Sequence, residues 1–88
     1  MKIMVWTVAI THRHGQDIHV AASENDAEEI VAQFCRDWWD EIRSEETHAT
    51  FETQHGRKAL IEHYFDRENE LGGSEAADIE RHQLEVSR

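Results

Sequence analysis

ITHRHGQDIH, residues 10–19, sets three histidines and an aspartate in a polar break between two apolar runs. How the chain turns there decides which side chains meet. Before the break, Met4, Trp6, Val8 and Ile10 alternate with Ile3, Val5, Thr7, Ala9 and Thr11, a β-branched run apolar on both faces, as a central strand requires. After it, Ile18, Val20 and Ala22 alternate with Asp17, His19 and Ala21, the pattern of a half-buried strand. A slip of one residue would carry one strand's apolar set to the wrong face. A three-residue turn, Arg13-His14-Gly15, with Gly15 in the left-handed position of a type I turn plus bulge, pairs Ile10 with Ile18 and Val8 with Val20. Trp6 then faces Ala22. This register predicts Trp6, Val8, Ile18 and Val20 on the core face, with Ile3, Val5, Thr7, Ala9 and His19 on the other.

Beyond the hairpin, Ser23 is placed to cap the amide of Asp26, and Ala27, Ile30, Val31, Phe34, Cys35, Trp38, Trp39 and Ile42 recur at helical spacing. The spacing predicts a helix to about Ser44, with Trp39 at the border of its apolar stripe and Arg36 paired with Asp40 one turn on. Residues 44–55 have no clear period and read as a connection. Leu60, Ile61, Tyr64, Phe65 and Leu71 mark a second amphipathic helix, stopped by Gly72-Gly73. In the tail, Ala77 and Ile79 are out of phase with Leu84 and Val86. Strand one nevertheless needs a second neighbour, and residues 79–86 are the segment left to supply it. The expectation is a single α+β domain over residues 1–88. It has a small three-stranded antiparallel sheet in ββααβ order, with two amphipathic helices packed on one face.

A chain of 88 residues builds only a small core, which disfavours a deep enclosed active site. The lone Cys35 allows no internal disulfide, and its place on the apolar shoulder of the first helix predicts an inert, buried thiol. The apolar start, MKIMVWTVAI, is too short for a membrane span and reads as a strand, not a signal. Nineteen acidic against nine basic residues give a formal charge of −10, and residues 24–55 alone carry −8. Such a field repels nucleic acid and membranes and steers encounters with basic protein surfaces.

The histidine-rich turn invites a metal reading. A metal-dependent enzyme or metal sensor would use His12, His14, Asp17 and His19. Zinc needs its ligands around one point. In the predicted register His12 leaves on the Trp6 face, His14 sits at the apex and His19 leaves on the opposite face, so the three diverge. The spacing also departs from H-x-H-x-D-H. No phosphate loop, nucleophile elbow or zinc-protease motif is present in the sequence. The expectation is a non-enzymatic chain with neither catalytic residues nor a cofactor.

The candidate binding residues are of two kinds. Glu62, Asp66 and Glu70 recur every four residues along the second helix with no lysine between them, a like-charged row suited to arginine or lysine side chains of a partner. Trp39 and Asp40 extend the candidate surface. The second kind is the sheet face of Val5, Thr7, Ala9 and His19, which is too apolar for free exposure and would bury against a partner or a second copy in a homodimeric structural module. Thr11-His12-Arg13-His14-Gly15 after a short strand, Trp38-Trp39 late in the first helix and Tyr64-Phe65-Asp66 in the second resemble small acidic proteins of phages and mobile elements, anti-CRISPR proteins among them. The likeness spans most of the chain. It implies a stoichiometric inhibitor or adaptor, expected in the host cytoplasm and occupying a basic, nucleic-acid-binding surface of a host protein, touching neither nucleic acid nor membrane itself.

Overall fold

The computed structural model describes residues 1–86. Three antiparallel strands form one sheet in the order β2-β1-β3: β1 (Lys2–His12), β2 (Gly15–Ala21) and β3 (Ala76–Glu85). Between β2 and β3 the chain forms α1 (Glu24–Asp37), a short 3-10 turn (Trp39–Ile42), α2 (His48–His55) and α3 (Arg57–Glu70). The fold is thus the expected α+β mix with the strand order ββ…β.

β1 is central because it is apolar on both faces. It pairs with β3 over all but its last residue, from Lys2 opposite Glu85 to Thr11 opposite Ala76. It pairs with β2 only from Trp6 onward. The N-terminal half of β1 and the C-terminal half of β3 therefore run on as a two-stranded arm, and the molecule extends 53 Å along its long axis.

The hairpin register differs from the expected one by a residue. Arg13 and His14 alone make the turn, and Gly15, at φ +133°, sits opposite His12 instead of being an extra bulge residue. Val8 then faces His19, Ile10 faces Asp17, and Trp6 faces Ala21. Polar bonds between the strands hold this pairing. His12 Nε2 lies 3.0 Å from Asp17 Oδ2, and Gln16 donates to Thr11 Oγ1 across 3.3 Å. The expected inward orientation of β1 holds, with Val8 and Ile10 buried and Trp6 packed against the core. That of β2 is reversed. Ile18 and Val20 point away from the helices, whereas His19, expected on the outer face, shares the helix-side face with Val8. Of β2, only the small Ala21 enters the core, where the chain turns into α1.

α1 begins as its sequence requires, with Ser23 Oγ accepting the amide of Asp26 at 3.0 Å. It ends earlier than the spacing suggested, at Asp37. The 3-10 turn that follows tightens the path and closes at Arg43, whose φ of 53° is left-handed. Ala27, Val31, Ala32 and Cys35 meet Val8, Ile10, Leu60 and Tyr64 in the core. Residues 44–55 are not a plain connection: Thr47 caps Thr50 and opens α2. No side chain of α2 is buried. This helix lies on the outer side of α3 and leaves the open sheet face uncovered. Gly72, at φ +92°, follows the end of α3.

The tail strand's mixed phase has a simple cause. Ala77 and Ile79 lie opposite Ile10 and Val8 beneath the helices, whereas Leu84 lies opposite Ile3 on the open face of the arm. β3 serves one face in its first half and the other in its second.

Candidate interaction surface

On α3, Glu62 and Asp66 are exposed, and no salt bridge engages either among the described residues. Glu70 differs, since Arg67 Nη1 donates to its Oε2 across 2.9 Å. The row of three is thus a pair of free carboxylates one turn apart with a neutralised third. Beside them runs a groove of about 230 Å³ between α3, α1 and β3, walled by Ile61, Phe65, Ala77 and Ile79 and rimmed by Glu62 and Lys58. Ile79 is 40 % exposed there. The sequence showed the carboxylate spacing. It did not show the groove, which exists only because β3 lies against the helices.

The other expected contact residues separate. Asp40 is exposed in the 3-10 turn. Trp39 is buried: its Nε1 donates to the Glu46 carbonyl at 2.9 Å, and its ring packs on Phe51 and His63. No surface of it is left for a partner. The early end of α1 exposes Trp38 instead, beside His14 and Phe34 in a shallow depression with Ile30 and His19. Val5, Thr7 and Ala9 lie on the open sheet face as expected, and Thr7 Oγ1 bonds His82 Nε2 across 2.9 Å.

Arg36 does not pair with Asp40. It reaches both carboxylate oxygens of Glu52 at 2.8 Å and also binds Glu29, so α1 and α2 are tied together. Arg57 links α3 to Glu28, Glu29 and Asn25 of α1. Hydrogen bonds from Arg36 hold the carboxyls of Glu29 and Glu52 below their ordinary value. This network consumes two arginines and three glutamates internally, which concentrates the uncompensated negative charge elsewhere, on the outer face of α3 among other places.

In the turn, His12 is engaged on both ring nitrogens. Nδ1 accepts the His14 amide at 3.1 Å, so Nε2 carries the proton donated to Asp17. His14 packs towards Trp38 and His19 lies across from Val8. Among the described residues no three His, Cys, Asp or Glu side chains are grouped to hold a metal ion. Sequence reasoning passed over Glu75, which is 9 % exposed and accepts the Tyr64 hydroxyl at 2.6 Å inside the core. Burial, reinforced by that carboxylate, pushes the Cys35 thiol up to about 12. Their arrangement is that of a satisfied polar contact in a core. No helix of the described residues is long and apolar enough to cross a membrane. Comparison with protein-family models, curated proteins and solved structures found no match.

Proposed function

We propose that this chain is a non-enzymatic acidic interaction protein that binds a basic surface of another protein. Glu62 and Asp66 supply the charge, and the groove walled by Ile61, Phe65, Ala77 and Ile79 receives an apolar side chain beside it. The reading rests on one observation: Glu62, an exposed carboxylate free of ion pairs among the described residues, borders an open apolar groove, and Asp66 stands exposed one turn further along the same helix. Isolated surface charges give on-rate and orientation, while an apolar anchor gives residence time. Together they suit a segment in which a large aliphatic or aromatic residue stands next to lysine or arginine. Nucleic-acid-binding host proteins display such surfaces, and the resemblance to anti-CRISPR proteins implies stoichiometric occupation of one. Direct contact with nucleic acid is no part of this reading, because carboxylates repel phosphates.

The test is affinity capture from host extract at two salt concentrations, with wild type and the Glu62→Lys/Asp66→Lys double variant side by side. A specific partner should be retained by wild type at low salt. It should bind the double variant at least tenfold more weakly and should fade from wild type as salt rises. Equal retention by both proteins would remove the α3 surface from the site.

A further inference from the structure

The face of the sheet turned away from the helices carries Ile3, Val5, Thr7 and Ala9 on β1, Ile18 and Val20 on β2, and Leu84 on β3. Ile18 is 61 % exposed, Val20 68 %, Leu84 49 % and Ile3 40 %. Monomers rarely leave so much contiguous branched aliphatic surface in water. We propose that the β1–β2 part of this face is the interface between two copies of the chain, packed sheet on sheet about a twofold axis.

Charge argues against a basic occupant. On β1 and β2 the open face holds no charged side chain from Ile3 to Thr11 or from Gln16 to Val20, and its carboxylates, Asp78 and Glu80, stand only on the edge strand β3. A basic partner is steered to the carboxylates of α3, on the opposite side of the sheet. What the open face matches is a flat, uncharged surface of like size, and this chain presents one.

Shape supports the same occupant. Val20 stands beside Thr7 and Ile18 beside Ala9, so β2 forms a ridge of large side chains next to a furrow of small ones on β1. Rotating a second copy about an axis parallel to the strands, between β1 and β2, lays each ridge into the other's furrow. Asp78 and Glu80 then stay at the two outer rims, in water. Strand spacing and rise give the overlapping strands β1 and β2 a footprint of roughly 300 Å² per copy, a small contact that suits a weak dimer. The contact is isologous and closes at two.

Sedimentation velocity of the full chain at about 5 and about 200 µM tests this. Wild type should shift from monomer towards dimer over that range, and added sodium chloride should not dissociate the dimer, in contrast to a complex held by Glu62 and Asp66. Val20→Lys and Ile18→Lys change exposed side chains, so the far-UV spectrum should stay native while each variant remains monomeric at 200 µM. Glu62→Lys/Asp66→Lys should dimerise like wild type. A wild-type monomer at 200 µM, a lysine variant that dimerises as tightly as wild type, or growth beyond two copies would overturn the proposal.

Discussion

Tyr64 donates to Glu75 across 2.6 Å in otherwise apolar surroundings, and this bond is where a single atom should matter most. Tyr64→Phe strips a buried carboxylate of that donor and should cost about 1–3 kcal/mol in urea unfolding. Cys35 lies against the same cluster and is fully buried. Its thiol ordinarily ionises at 9.0 but at about 12 in the folded chain, owing first to burial and then to the nearby Glu75. Between those values only the unfolded chain loses the proton. Stability is therefore intact below about pH 9 and falls as pH climbs towards 12. Cys35→Ala should flatten part of that decline in unfolding midpoints. Part should remain, because burial also raises the Tyr64 hydroxyl. Thiol reagents should label Cys35 at neutral pH only after denaturation. The buried thiol was legible in the sequence from helical spacing. Glu75 was not, since an isolated glutamate after a glycine pair gives no sign that a tyrosine eleven residues earlier will bond to it.

Among the elements, α2 has the least holding it in place. It buries no side chain and is attached by Phe51, stacked on His63 and tilted against Trp39, and by Glu52 on Arg36. Arg36→Ala should cost this docking about 1–2 kcal/mol, seen as roughly five- to thirtyfold faster amide exchange in residues 48–55 with little change in β1. Acid should act on the same joint. Arg36 holds Glu29 and Glu52 below the ordinary carboxylate value of 4.5, so the network's contribution is present above that pH and is lost as pH falls through the lowered values. The extra acid sensitivity of α2 should vanish in the Arg36→Ala protein. These features also explain why residues 44–55 read as a connection. A helix attached by one aromatic ring and one carboxylate leaves no apolar period to find, and the cap Thr47 was the remaining signal. The end of α1 was equally silent, because neither glycine nor proline marks Asp37.

At the scale of the molecule, strand alternation and the unmet needs of β1 were enough to read a three-stranded antiparallel sheet from the sequence. The hairpin register was not, because a two-residue and a three-residue turn differ in the backbone at Gly15 alone. The apolar pattern of β2 fits either until one knows that only Ala21 meets the helices. Glu62 and Asp66 were legible by spacing, whereas the groove beside them required the tertiary fold. The formal charge of −10 is a whole-molecule property, and its self-repulsion should be relieved by salt. Raising sodium chloride from about 20 to about 300 mM should stabilise the fold by about 1 kcal/mol, some 4–8 °C in thermal midpoint, while α2 exchanges faster as its ion pairs are screened. A fall in both would show that internal pairs outweigh repulsion. The arm of β1 and β3 brings Met1 and Val86 together, with the Val86 amide donating to the Met1 carbonyl at 2.8 Å. A linker of a few residues from Arg88 back to Met1 would make the backbone circular without bending either strand. Such a ring would forbid fraying from that tip, and it leaves the α3 groove clear for any label carried on the linker.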